Sequence, residues 1–354
     1  MNTGNPMNFK GRIITKNESI LEGLRKMDSI DKKLLVVLDN HQFVGLISAG
    51  DIQRAIIQDK SLDTPIEEIL RKKIRVAKPD DSFESIKQMM LDFRMELCPV
   101  INENQEILNV YFWEDIFLEK EPQPKNQFDL PVIIMAGGLG TRLKPITNVI
   151  PKPLIPIGEK TMLEHIFDRF SKHGCNSFLI SVNYKADLID FYLKSKNLPY
   201  SINYFKEDKP MGTAGSLSLL KGVINETFFV TNCDILIEQD YSEILDYHRT
   251  SKNDITIVAA LKHYSIPYGT IETTNNGQLV SLMEKPELTF KINSGMYILE
   301  PNLLNEIPEN QFLHITHLID KIHKRGGNVG VFPVSEKSWK DIGEWEEYLK
   351  ISME

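Results

Sequence analysis

The sequence predicts an α/β protein in two parts, and three features carry that expectation. Apolar runs of strand length alternate with stretches whose apolar residues recur at helical spacing. Near the N-terminus a pattern of helix, strand, turn, strand and helix occurs twice. One proline-containing, charge-rich stretch then separates this repeat from a longer α/β region. With 354 residues the chain exceeds one compact core, and 42% apolar with 25% charged residues is ordinary for a globular protein.

The repeat is visible residue by residue. Ile14–Met27 lies over Val76–Met89, with Leu21, Leu24 and Met27 recurring as Phe83, Ile86 and Met89. Leu34–Asp39 recurs as Leu97–Asn102, a strand ending in turn residues. Phe43–Ser48 and the helix from Asp51 recur as Ile107–Phe112 and the segment from Asp115, about 63 residues on. Neither copy can bury its sheet alone, so the two are expected to cover each other. The arrangement resembles a tandem pair of cystathionine β-synthase (CBS) domains over residues 1–118. In that family a Ser/Thr-x-x-Asp signature opens the last helix and contacts an adenine nucleotide, helped by the helix N-terminus. The first copy has it as Ser48-Ala-Gly-Asp51, whereas the second has Phe112 at the hydroxyl position, with Asp115 kept. The resemblance therefore implies at most one standard regulatory nucleotide site, on Ser48 and Asp51. The plainer reading is a dimerisation module in which the same pair caps a helix.

Glu119–Phe128 holds two prolines and four charges and no β-branched residue, which predicts an extended linker over 119–129. The second part, 130–354, opens with Val132–Ala136, a short apolar run of buried parallel-strand type. It passes directly into Gly137-Gly-Leu-Gly-Thr-Arg-Leu-Lys-Pro145 and on to Pro151-Lys-Pro153. A strand feeding a glycine-rich loop presents successive backbone N–H groups to phosphate oxygens. From Gly137 to Pro156 there are three cations, Arg142, Lys144 and Lys152, and no acid, in a chain of net charge −8. That local reversal marks a polyphosphate site. Two familiar glycine loops are excluded: a Walker A loop needs Gly-Lys-Ser/Thr, and a dinucleotide fingerprint needs a third glycine where Leu143 stands.

At these residues the chain resembles the sugar-1-phosphate nucleotidyltransferases, whose signature G-G-x-G-T-R-L-x-P-x-T followed by P-K-P is present in full. Further motifs follow in order: Pro210-Met-Gly-Thr-Ala-Gly-Ser216, Asn232-Cys-Asp234, Glu284-Lys-Pro286, Asn293-Ser-Gly-Met-Tyr297 and Trp339-Lys-Asp-Ile-Gly343. The resemblance implies a Rossmann-like (GT-A-like) domain with a mixed, mostly parallel sheet. It implies nucleotide contacts at Ala136, Gly137, Gly138, Gly140, Thr141, Gly212, Thr213 and Ala214. Glu284, Lys285 and Asn293 would hold the sugar phosphate, Asp234 and Asp341 a Mg²⁺ ion. Arg142 would bind the β- and γ-phosphates and Lys152 bridge the α-phosphate and the incoming phosphate, as the catalytic cations.

The residues themselves agree with this outline. Met162, Leu163, Ile166, Phe167 and Phe170 form one helical face that stops at His173-Gly174. Strand-like runs are expected at Phe178–Val182, Thr227–Thr231, Ile255–Leu261 and Val280–Met283, forming a sheet with ligands at its strand C-terminal ends. Asp234 directly follows such a strand. Cys233 stands where the family more often has glycine, so the loop would be strained if it demanded a positive φ. Cys233 reads as a small buried residue, Trp339 and Trp345 as anchors of the C-terminal helix, and the histidines as packing or surface groups.

Transfer of this kind needs no protein nucleophile, because a phosphate monoester with a second pKa of about 6 is mostly dianionic at neutral pH. It needs the repulsion of two polyanions cancelled. A CBS pair ahead of such a domain resembles guanylyltransferases acting on glucosamine 1-phosphate or mannose 1-phosphate, with thymidylyl- or uridylyltransfer as the alternative. A nucleotide-sensing protein whose transferase domain only binds is the alternative of another class. With 49 acidic against 41 basic residues, no nucleic-acid partner is expected. Three cysteines without metal spacing, no leader pattern and no run long enough for a bilayer make a cytoplasmic, membrane-free protein the expectation. CBS pairs commonly associate face to face, which implies a homo-oligomer.

Overall fold

The computed structural model describes residues 9–71, 74–93, 95–117, 126–207 and 209–353, without the side chains at 114–115 and 352–353. It separates into two compact units, Met1–Gln123 and Pro124–Glu354. The expected linker falls largely outside the described residues.

The first unit carries the repeat seen in the sequence. Its elements are β1 (Ile13–Thr15), α1 (Ile20–Ile30), β2 (Leu34–Asp39), β3 (Gln42–Ser48) and α2 (Ala49–Ile57), then α3 (Phe83–Phe93), β4 (Leu97–Ile101), β5 (Ile107–Phe112) and α4 (Trp113–Ile116). In the first copy β1 pairs parallel with β2, which pairs antiparallel with β3. In the second, a parallel bridge from Ala77 to Val100 replaces β1, and β4 pairs antiparallel with β5. Val36 and Phe43 of the first sheet bury against Leu97, Val110 and Phe112 of the second. The two half-sheets do cover each other, as neither could close a core alone.

The second unit is built on one seven-stranded sheet. The chain runs β6 (Val132–Met135), the hairpin β7 (Pro156–Ile157) and β8 (Lys160–Thr161), α5 (Met162–Lys172), β9 (Ser177–Val182), α6 (Ala186–Ser195) and β10 (Ser201–Lys206). It continues through α7 (Gly212–Gly215), β11 (Phe228–Asn232), β12 (Ile235–Ile237), α8 (Tyr241–Thr250), β13 (Ile255–Ser265), β14 (Thr270–Thr273) and β15 (Leu279–Met283). The last elements are β16 (Glu287–Leu299), α9 (Ile315–Lys324), β17 (Val329–Ser335), β18 (Trp339–Asp341) and α10 (Trp345–Met353). Sheet order is β10-β9-β6-β11-β16-β13-β17, and only β16 runs antiparallel to its neighbours.

Val132, Ile133 and Ile134 of β6 are fully buried between strands and helices, each worth roughly 1.5–3 kcal/mol relative to exposure. The face of α5 predicted from its apolar spacing is buried, and the helix ends at His173 with Gly174 at φ +101°. Thr161 and Glu164 close a capping box at its start, worth about 1 kcal/mol. One expected strand is relocated. Val280–Met283 belongs to the separate β14–β15 hairpin and not to the main sheet. Apolar composition marks a strand but not the sheet it joins.

Candidate active site

Six sequence-distant segments, namely the glycine loop, the end of β11, β18, the start of α9, α7 and the Asn293–Tyr297 stretch of β16, meet beyond the C-terminal ends of β6 and β11. The first is the glycine loop after β6. Gly140 adopts φ +64°, and a Cβ there would stand 2.8 Å from Thr147 Cγ2 and 3.1 Å from Lys152 Cβ. The Thr147 hydroxyl donates to Gly140 O at 2.9 Å. Glycine at 140 therefore lets the loop fold back on itself and brings Lys152 against its base. Ala136 anchors the loop start by donating its N–H to Ser181 O at 3.0 Å, while Gly137, Gly138 and Thr141 lie along the turn.

The second segment is Asn232-Cys-Asp234 at the end of β11. Cys233 stays out of the left-handed region, so the strain expected from a missing glycine does not arise. Its thiol is buried, and burial together with Asp234 pushes its pKa up to about 12. It is no nucleophile. The third segment is β18, which pairs antiparallel with β12 and sets Asp341 opposite Ile235. Ile342 N donates to Asp234 O at 2.9 Å, closing this small ribbon.

That ribbon brings the two acids together. A Cβ on Gly343 would lie 2.5 Å from Asp234 Oδ2, 2.8 Å from Asp341 Oδ1 and 2.7 Å from Lys152 Nζ. The three polar atoms thus converge on the space that the missing side chain leaves. Lys152 Nζ donates to Asp234 Oδ2, and Arg142 Nη2 stands 3.6 Å from the same oxygen. Burial, then the charge of Asp234, raises the Asp341 pKa, although Gly343 N–H donates to it at 2.9 Å. Burial opposes the charge on Arg142, but Glu344, Asp341 and Asp234 outweigh it and raise its pKa.

The fourth segment opens α9. Thr213, in α7, accepts a hydrogen bond from Ile315 N at 3.0 Å. Gly212 meets the same stretch, with Leu313 O 2.6 Å from where its Cβ would be, and Ala214 N donates to Leu313 O. Together the segments enclose a cavity of about 320 Å³, whose lining includes Arg142, Thr213, Asp234, Asn293, His314 and Asp341. Asn293 Oδ1 accepts from the Tyr297 hydroxyl at 2.9 Å.

Five of the sequence-designated residues, Arg142, Thr213, Asp234, Asn293 and Asp341, therefore line one cavity, and Lys152 adjoins it. Glu284 and Lys285 do not line it; they sit exposed at the turn between β15 and β16. Ser48 and Asp51 lie in the other unit and form a capping box at the start of α2. Burial pushes the Asp51 carboxyl up, but hydrogen bonds from Arg71 and Ser48 hold it below the usual range.

Several residues of the site went unrecognised in the sequence. His314 and Thr316 line the cavity, but a histidine just before a helix and a threonine in its first turn carry no local mark. Glu207 is buried and ties β9 to the loop before α7: Ser181 donates its hydroxyl to Oε1, and Met211 N donates to Oε2 at 2.9 Å. Trp339 lies on β18 and lines the cavity, and its indole N–H donates to Ser294 O at 3.1 Å, which ties it to β16. Trp345 anchors α10 by donating to Lys144 O at 2.9 Å.

Asp234 and Asp341 are the groups that could hold a divalent cation. Among the described residues no third His, Cys, Asp or Glu completes a cage with them. Two converging carboxylates fit an ion whose remaining ligands are phosphate oxygens and water.

A glycine loop, a largely buried lysine, a half-exposed arginine and two acids thus meet at the strand ends of a mixed sheet. The nucleotidyl transferase family matches residues 131–354, and the chain belongs to it. It is 35% identical over 185 residues to the mannose-1-phosphate guanylyltransferase catalytic subunit beta of Dictyostelium discoideum, covering 50% of this chain and 52% of that protein. It is 27% identical over 223 residues to the mannose-1-phosphate guanylyltransferase of Mycobacterium tuberculosis, with 62% of each covered. The chain thus spans about half to three fifths of the length of these curated relatives. A solved Bacillus anthracis structure named for glucose-1-phosphate thymidylyl transfer shares the fold, with TM-score 0.50 and 22% identity over 63% of this chain and 94% of that one. No described helix is long and apolar enough to cross a membrane.

Proposed function

We propose that this chain is a sugar-1-phosphate nucleotidyltransferase. It takes a nucleotidyl group from a nucleoside triphosphate, GTP in the first instance, and transfers it to a glucosamine- or mannose-type sugar 1-phosphate. The products are pyrophosphate and a nucleoside-diphosphate sugar for surface glycans. The observation that carries the reading is the meeting of Asp234, Asp341 and Lys152 about Gly343, with Arg142 beside them. The activity for which the guanylyltransferase relatives are named favours guanine and mannose.

In this mechanism a sugar-phosphate oxygen attacks the α-phosphorus, a new P–O bond forms, and the bond to the β-phosphate oxygen breaks in line. The dianionic nucleophile needs no base, so the protein's work is alignment and charge cancellation. Arg142, at the cavity mouth, neutralises the β- and γ-phosphates and the departing pyrophosphate. Lys152 leaves Asp234 to bridge the α-phosphate and the incoming phosphate. Asp234 and Asp341 would hold Mg²⁺, which would supply positive charge to the phosphate oxygens. The loop Ala136–Thr141 and Gly212–Ala214 seat the nucleotide, with Asn293 on the sugar side. Glu284 and Lys285 reach the sugar phosphate only if their turn closes toward the cavity.

The test is pyrophosphate release across a grid of triphosphates and sugar 1-phosphates. GTP with mannose 1-phosphate or glucosamine 1-phosphate is expected to turn over fastest. A preference for thymidine or uridine triphosphate reassigns the base. No turnover with any pair leaves a nucleotide-binding regulator and ends the enzymatic reading.

The N-terminal unit is read as a CBS pair that regulates or assembles the enzyme as a homo-oligomer in the cytoplasm, without nucleic-acid or membrane partners. Its two-copy α/β arrangement supports this, as do Arg54 and Arg71 beside Ser48 and Asp51, which offer cations to a phosphate. Titrating AMP into the full chain should give heat that Asp51→Asn reduces at least about tenfold in affinity. Equal binding by both proteins contradicts a site on Ser48 and Asp51.

A further inference from the structure

Arg142 faces carboxylates of two kinds. Asp234 and Asp341 approach it from within the cavity, and Asp234 is already held by Lys152. Glu344 is different. It stands just beyond Gly343, and its Oε1 accepts directly from Arg142 Nη1. Both partners are about half exposed, at 53% and 51%. The neighbouring Trp345 fixes the loop independently, through Lys144 O.

We propose that Glu344 is a built-in competitor for phosphate at Arg142. Resting on the reading of Arg142 above, it holds the guanidinium while the site is empty and yields it to the triphosphate. It then takes the guanidinium back as pyrophosphate leaves. Magnitudes make the role workable. A half-exposed ion pair is weak because solvent screens it, so a polyanion displaces it readily. The same pair, together with a fixed negative charge at the cavity mouth, lowers polyphosphate affinity several-fold. Glu344 would thus trade substrate affinity for release of the product that Arg142 binds best.

The test is calorimetric titration of inorganic pyrophosphate with Mg²⁺ into the full chain, wild type against Glu344→Gln. Glutamine keeps the shape and a carbonyl acceptor for Arg142 but loses the charge. The dissociation constant is expected to fall roughly fivefold, the upper range for such a pair, and the gain to shrink at about 0.5 M salt. The KM for GTP should fall in the same proportion. Glu344→Ser should act in the same direction, whereas Trp345→Phe, which removes the anchor and leaves the charge, should not tighten binding. Unchanged or weakened pyrophosphate binding in both Glu344 variants overturns the proposal and makes Glu344 a support for Arg142. Binding is read without turnover, so failure of the catalytic reading would be seen separately, in the substrate grid.

Discussion

Asp234→Asn is expected to lower turnover at least 100-fold, on the order of what catalysts lose when one key electrostatic group is removed. The carboxylate does two things that an amide cannot. It accepts a buried ion pair from Lys152, and with Asp341 it offers converging negative oxygens to a divalent ion. The substitution is nearly isosteric, so the fold should persist and the loss should lie in kcat more than in KM. Steady-state rates of pyrophosphate release, with a thermal melt as control, check this. Near-normal activity in a folded variant would remove Asp234 from the metal role.

Gly343→Ala should be almost as damaging through a single methyl group. That carbon would stand 2.5 Å from Asp234 Oδ2, 2.7 Å from Lys152 Nζ and 2.8 Å from Asp341 Oδ1, each closer than van der Waals contact allows. Gly343 has no positive φ, so the backbone itself accepts alanine and the injury is confined to the three polar atoms. Displacing reacting groups by about 1 Å costs on the order of 100-fold in rate, while overpacking costs about 1–3 kcal/mol of stability. The expected result is a folded protein with turnover reduced about 100-fold. Wild-type kinetics would mean that the acids do not work at the spacing seen here.

The parts of this site that were legible in the sequence are those written in contiguous residues. The glycine loop, its cations Arg142 and Lys152 and the acid after β11 declare their chemistry locally, through spacing and local charge. The twofold pattern of the first unit was legible for the same reason, since a repeat is compared with itself. Pairing was harder to read. That Asp341 lies against Asp234 depends on β12 meeting β18, a ladder between segments about a hundred residues apart. Glu207 and His314 matter only through neighbours in space: a buried glutamate tying Ser181 to Met211, and a ring in a cavity wall. Val280–Met283 shows the converse error, because a strand's apolar composition does not name the partner it pairs with.

The most direct measurement of the central claim is an omission series. Pyrophosphate release is followed with triphosphate, sugar 1-phosphate and Mg²⁺ together, and then with each withheld or the metal chelated. The account predicts release only when all three are present, and its restoration when Mg²⁺ is returned. Release that continues under chelation, or without the sugar phosphate, would contradict it.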